Sequence, residues 1–356
     1  MKQFHPLKIE RIEAETSDSV RIALAVPAEF ESEYEFLAGQ HLPFEITVDG
    51  RKLRRTYSIC SGMDERPLEI GIRVQPGGAF SEYAASKLSV GDTLDAMPPA
   101  GHFHVNPERG NAQDYLGFAA GSGITPILSM IKSVLETEPN SRFVLFYGNR
   151  KQATTMFIED LYALKNRYPA RLQLHFVFSQ EDQEFPIAAG RLDAAKVREL
   201  YEHFCKGLEP AEAFVCGPDT MIQSVTETLI ELGMEAGHVH SERFGVPREV
   251  AKAQSAPSAK AADHAAVTVI MDGHKKSFEM RRGDDNIVDA AAGAGIDLPY
   301  SCKGGVCATC RCHLREGEVT METNYGLEPW EVEAGYVLAC QSRPVSDSIL
   351  LDYDKT

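Results

Sequence analysis

No apolar run in this chain approaches the roughly 20 residues a helix needs to span a bilayer, so no membrane partner is expected. Basic charge is scarce too. Against 52 Asp and Glu stand 36 Lys and Arg, a formal net charge of -16. Phosphate backbones need a basic face, so no nucleic-acid partner is expected either. The N-terminus, MKQFHPLKIERIEAET, has neither the continuous apolar stretch nor the cleavage site of a secretion signal, and the cytoplasm is the expected location. No repeat recurs at a fixed period. Eight cysteines in 356 residues do not suggest a disulfide scaffold, and four of them fall within residues 302–312. Metal chemistry is the better reading.

The length exceeds what one core usually fills, so several domains are expected. Residues 1–106 carry short alternating runs, SVRIALAVP, HLPFEITV, RRTYSIC and LEIGIRV, divided by turn residues; these predict antiparallel strands in a small barrel. Over 112–245 the pattern changes. YLGFAAGSG precedes ITPILSMIKSVLET, RFVLFYGNR precedes MFIEDLYALKNRY, and AFVCGP precedes DTMIQSVTETLIELG. Strand then helix, repeated, predicts a parallel α/β sheet. VPREVAKAQSAPSAKAADH at 246–264 reads as a tether, rich in Ala, Ser and Pro. The remaining segment, 265–356, holds 15 acidic against 9 basic residues, an acidic surface suited to a basic face on a protein partner.

Cys302, Cys307 and Cys310 form C-x4-C-x2-C, and with Cys340 they match plant-type [2Fe-2S] spacing. Thiolates suit iron bridged by sulfide. Small residues in SCKGGVCATC let backbone N–H groups turn toward sulfur. Zinc would favour a second paired hook, which the sequence lacks. Cys312 could compete with Cys310, but it reads, with Cys60 and Cys205, as a small buried hydrophobe.

Six weaker motifs precede the cysteines. RTYS predicts a strand with Arg55 and Tyr57 on one face and Thr56 and Ser58 on the other; an arginine can take phosphate while a tyrosine packs on a ring. RVQPGGAFSEY contains Val74, then Gly78, Ala79, Phe80 and Ser81, a glycine turn entering a short helix, as pyrophosphate sites require. AAGSGITP brings Gly121, Ser122, Gly123, Thr125 and Pro126 to a strand-turn-helix junction, although it departs from G-x-G-x-x-G at the last position. In YGNR, Asn149 and Arg150 stand where an NAD site usually places an acid, and arginine there favours the 2′-phosphate of NADPH. Cys216, Gly217 and Pro218 end a further strand where a nicotinamide could approach. SERF adds Glu242 and Phe244. An ordinary strand, a plain turn, a surface arginine and core side chains are the competing readings.

RTYS, GGAFS, AAGSGITP, YGNR, VCGP and SERFG, in this order, resemble the ferredoxin-NADP reductase family, and the C-terminal ferredoxin extends the likeness to nearly the whole chain. YGNR, HFVFSQE, DLPYSCKGGVCATC and METNYGLEP place it nearest to members serving a di-iron monooxygenase of an aromatic acyl-CoA. The resemblance implies an antiparallel FAD-binding β-barrel, a Rossmann-like NADP-binding α/β domain and a β-grasp [2Fe-2S] ferredoxin domain. It also implies that Arg55, Tyr57 and Ser58 hold the flavin and that Gly78, Ala79, Phe80 and Ser81 hold its pyrophosphate. Thr125 and Cys216 would lie by flavin and nicotinamide, and Phe244 would cover the flavin ring. Similar motifs occur in FMN relatives, so FAD rests on this likeness.

A hydride carries two electrons and the cluster accepts one, so the flavin must stand between NADPH and the cluster. The expected flow is NADPH to FAD to [2Fe-2S] to a di-iron oxygenase, with Ser58, Cys216 and Glu242 nearest the reacting rings. A Rieske dioxygenase or another hydroxylase served with NADH is the second expectation. A non-catalytic redox sensor is the third.

Overall fold

The computed structural model describes residues 3–48, 50–244, 264–281, 286–327 and 329–355. The expected tether lies outside them except for His264, which opens a strand. Among the described residues no helix is long and apolar enough to cross a membrane.

Six strands, β1 (His5–Thr16), β2 (Ser19–Ala25), β3 (His41–Val48), β4 (Arg51–Ser58), β5 (Leu68–Arg73) and β6 (Thr93–Ala96), pair antiparallel in the order β4-β3-β6-β1-β2-β5. A bridge between Ile59 and Ile70 joins the outer strands into a barrel. The period of two is visible in β1, where His5, Leu7 and Ile9 turn inward and Pro6, Lys8 and Glu10 outward. Helix α1 (Ala79–Ser86) sends Phe80 and Ala84 into the same core.

The second sheet takes β7 (Asp114–Ala120), β8 (Arg142–Asn149), β9 (Leu172–Phe178), β10 (Pro210–Cys216) and β11 (Val239–Glu242), all parallel, in the order β11-β10-β7-β8-β9. Helices α2 (Ile124–Thr137), α3 (Ile158–Arg167), α4 (Ala194–Phe204) and α5 (Asp219–Glu231) connect them. The strand order reverses between β7 and β10. In open α/β sheets a ligand crevice forms at such a switch point, beyond the C-terminal strand ends. Helix α2 is buried on almost every side, with the sheet on one flank and the barrel on the other. Its two buried serines resolve the polar cost: Ser129 donates to the Ser61 carbonyl (2.7 Å) and Ser133 accepts from Met63 N–H (3.0 Å).

The third body is a β-grasp sheet. Strands β12 (His264–Met271) and β13 (His274–Arg281) form a hairpin, helix α6 (Ile287–Gly293) follows, and β14 (Arg311–Glu316) leads to β15 (Val319–Met321). Helix α7 (Pro329–Glu333), β16 (Tyr336–Leu338), β17 (Ser342–Pro344) and β18 (Ser348–Asp352) complete it, in the order β13-β12-β18-β14-β16. β12 and β18 run parallel, and β15 pairs with β17 apart from the main sheet. Asn286 caps α6 by accepting from Asp289 N–H, which turns Ile287, Val288 and Ala291 onto the sheet.

Candidate functional site

Between α6 and β14 the chain runs in an irregular loop that carries three cysteines, and the fourth lies in the turn between β16 and β17. Three loop residues take positive φ: Lys303 (52°), Gly305 (73°) and Ala308 (50°). At Gly305 an added Cβ would also lie 2.9 Å from the Thr323 carbonyl oxygen, so only glycine fits. This strained path aims amides at sulfur. Gly304 N–H and Cys307 N–H reach Cys302 Sγ at 3.3 and 3.4 Å, and Cys302 N–H reaches Cys307 Sγ at 3.4 Å. Thr309 Oγ1 donates to Cys307 Sγ (3.2 Å), and Gln341 Nε2 to Cys340 Sγ (3.5 Å).

A mononuclear zinc site gathers four donors around one point. Among the described residues no three His, Cys, Asp or Glu side chains do so. The thiols pair instead, Cys302 with Cys307 and Cys310 with Cys340, and none forms a disulfide. Two thiols for each of two irons is what a [2Fe-2S] centre needs, and the donor set fits it. A hydrogen bond with Cys307 lowers the Cys302 thiol, and one with Cys310 lowers Cys340. Their partners are pushed up, first by that hydrogen bond and then by burial. Cys312 lies in the β-grasp core, its thiol raised by burial to about 12, as a small hydrophobe should be.

On β4 the alternation is as expected. Arg55 is exposed, and among the described residues its guanidinium bonds the Arg54 carbonyl (2.7 Å) and no carboxylate, which leaves it able to take phosphate. Tyr57, on the same face, packs on Phe80 with ring centroids 5.2 Å apart. Thr56 turns the other way and shares a hydrogen bond with the hydroxyl of Ser301 (2.6 Å), a residue of the cysteine-bearing body. Ser58 donates to Glu242 (3.3 Å). Val74 is held by its N–H to the Asp18 carbonyl (2.8 Å) just ahead of the glycine turn. Gly78 then opens α1 with no side-chain cap, and Ala79 is exposed beside it, so the first helical amides fit a pyrophosphate. Two side chains there serve the fold. Phe80 is buried in the barrel core, and Ser81 Oγ closes the turn by accepting from Gln75 N–H (3.1 Å).

At the switch point, Gly121 takes φ 55° and Ser122 lies beside it in the short turn before α2. Gly123 has another reason to be glycine. An added Cβ would sit 2.1 Å from the Cys216 carbonyl oxygen, so this residue allows two strand ends to touch. Thr125 donates to the Ser122 carbonyl (3.0 Å) in the first turn and is buried with Pro126. The Cys216 side chain is fully buried, with its thiol pushed up first by burial and then by Glu242, and the Cys216–Gly217 backbone borders the turn. Pro218 then precedes α5. Asn149 is buried at the end of β8 while Arg150 is exposed after it. Phe244 is 49% exposed and so is not a core phenylalanine.

A cleft gathers all three bodies: His41, Gly101 and His102 from the barrel side, His240 to Arg243 from β11 and beyond, and Val306, Cys307, Ala308 and Tyr325 from the cysteine-bearing loop. Glu242 is its polar centre, 3.5 Å from His41 Nδ1 and bonded to Ser58. Cys307, an expected cluster ligand, thus lines the same cavity as Glu242, one of the residues expected beside the flavin.

Residues 6–105 match the oxidoreductase FAD-binding domain, 118–227 the oxidoreductase NAD-binding domain, and 269–345 the 2Fe-2S iron-sulfur cluster binding domain. The chain is 42% identical to one of the subunits of 1,2-phenylacetyl-CoA epoxidase from Escherichia coli K12, over 99% of both chains. The chain belongs to the ferredoxin-reductase family of oxygenase reductases. The reductase component of 3-ketosteroid-9-alpha-monooxygenase from Rhodococcus rhodochrous is 35% identical, over 98% of this chain and 96% of its own. Among solved structures, phthalate dioxygenase reductase aligns over 98% of both chains at 25% identity, with a TM-score of 0.58. This reductase therefore carries FAD, a [2Fe-2S] cluster and a pyridine nucleotide, and delivers electrons to an oxygenase.

Sequence reasoning missed the residues through which the reductase joins its parts. Arg54 meets Asp297 (3.0 Å), His102 approaches Glu331 (3.6 Å), and the Arg243 guanidinium lies 4.9 Å over the Tyr325 ring. Only the doubled arginine of RRTYS hinted at a second role on that strand.

Proposed function

We propose that this protein is the reductase of a cytoplasmic phenylacetyl-CoA epoxidase, taking electrons from NADPH and supplying a di-iron oxygenase. The observation that carries this reading is the full-length identity to the Escherichia coli epoxidase chain, 42% over 99% of both chains. Held by the barrel, FAD would supply two-electron hydride chemistry, and a [2Fe-2S] cluster held by Cys302, Cys307, Cys310 and Cys340 would supply one-electron chemistry. The protein's own groups position and shield. Arg55 supplies a guanidinium for the flavin phosphate, Tyr57 an apolar wall, and the uncapped start of α1 amides for the pyrophosphate. Ser58 and Glu242, hydrogen-bonded to one another, hold a proton beside the flavin. Arg150, exposed after β8 with no acid in the usual ribose position, favours the 2′-phosphate of NADPH.

Purified protein, its oxygenase and phenylacetyl-CoA should give the epoxide with NADPH and little with NADH. No product with either coenzyme contradicts the proposed client. Arg150→Ala should raise KM for NADPH at least tenfold while leaving NADH unchanged, and an equal effect on both removes the phosphate assignment. A Rieske dioxygenase or other hydroxylase is a second client, favoured by the alignment with phthalate dioxygenase reductase along the whole chain. Substrate oxidation by such an oxygenase, with none by the epoxidase, would select it.

A further inference from the structure

Arg54 is buried at the junction of the barrel and the ferredoxin domain. Its Nε donates to Glu45 (2.8 Å) across the β3–β4 pair, which fixes the guanidinium on the barrel. Its other edge faces the ferredoxin domain. Nη2 donates to Asp297 (3.0 and 3.3 Å), Nη1 approaches the Leu298 carbonyl (3.5 Å), and the guanidinium plane lies 4.3 Å from the Tyr300 ring centroid. Two residues along the same face of β4, Thr56 bonds Ser301. Asp297, Leu298, Tyr300 and Ser301 run directly into Cys302, the first cluster ligand.

We infer that Arg54 and Asp297 form a latch that seats the cluster loop on the barrel and so positions the cluster for electron transfer from the flavin. The latch rests on the reductase reading above. Alternation along β4 gives it a particular leverage: Arg55 and Tyr57 face the expected flavin site while Arg54 and Thr56 hold the cluster loop. One strand then sets both ends of the transfer. Arg54 is a positioning residue, since it touches neither reacting group. The guanidinium suits this task because its planar fork serves Glu45, Asp297 and Leu298 at once while stacking on Tyr300, which a lysine cannot do.

Asp297 is the better residue to change. Its side chain is 72% exposed, so substitution should leave the barrel and its flavin intact. Asp297→Arg places like charges at the junction, and such contacts cost enough to slow a docked step by about tenfold or more. The measurement is anaerobic rapid mixing of the full-length holoprotein with NADPH, with freeze-quench EPR of the cluster and, separately, ferricyanide reduction by the flavin. Cluster reduction should slow about tenfold in Asp297→Arg, recover in Asp297→Glu, and leave ferricyanide turnover unchanged. Added positive charge stabilises the reduced cluster and raises the driving force, so a slower transfer reports positioning, not potential. Unchanged cluster reduction in Asp297→Arg overturns the latch and spares the reductase reading. Wild-type protein whose flavin reduces while its cluster does not overturns the reductase reading, and the latch with it.

Discussion

The barrel meets its two neighbours in different ways. Against the nucleotide-binding sheet it is fused: Ala38, Cys60, Phe103 and Val105 belong to the same apolar core as α2 and the sheet strands. The hydrogen bonds of Ser129 to the Ser61 carbonyl and of Met63 N–H to Ser133, with the Arg21–Asp160 pair (2.6 Å), close that seam. Against the ferredoxin domain the contacts are polar, namely Arg54–Asp297, Thr56–Ser301 and His102–Glu331, and the ferredoxin core is its own. Hydride transfer needs two rings held in one geometry, which a shared core provides. A single-electron carrier that must also serve an external oxygenase is better docked than fused, since polar contacts form and break at little cost.

This contrast can be broken at the fused seam first. Gly123→Val would drive a side chain into the Cys216 backbone; it should destabilise the protein by about 3 kcal/mol or more and abolish NADPH oxidation, read by thermal unfolding and ferricyanide assay. Acid should act on the same body. Burial against Phe204 and Phe146 holds His175 neutral, with its pKa lowered from 6.5 to about 4. The unfolded chain binds this proton more readily, so the stability it contributes is complete above pH 6.5 and is lost as pH falls toward 4. Discounted for partial exposure, the loss is about 2 kcal/mol, and His175→Leu should remove it from a pH series of unfolding curves. Ser129→Ala should cost about 1–2 kcal/mol, because the Ser61 carbonyl loses a buried partner. Asp297→Asn, at the docked seam, should change the unfolding free energy by less than about 1 kcal/mol. An effect as large as that of Ser129→Ala would mean that this seam too is fused.

The sequence showed most where chemistry is local. Alternation in HPLKIE and RRTYS, the strand-helix repeat and the cysteine spacing all report on neighbours within a few residues, and the sheets follow them. What it hid depends on distant approach. Gly123 belongs to a strand-turn-helix motif, yet its Cβ is forbidden by a carbonyl 93 residues further along the chain. Phe80 and Cys216 lie in motifs expected to bind cofactors, and both side chains are buried in apolar cores. Thr56, on the face of β4 opposite Arg55 and Tyr57, bonds Ser301, a partner 245 residues away. No local pattern encodes such a pairing.

The most direct test of the electron route removes one cluster ligand. In Cys307→Ser holoprotein, NADPH-driven cytochrome c reduction should be abolished while NADPH-driven ferricyanide reduction by the flavin stays at the wild-type rate. Equal loss of both activities would contradict a flavin that precedes the cluster.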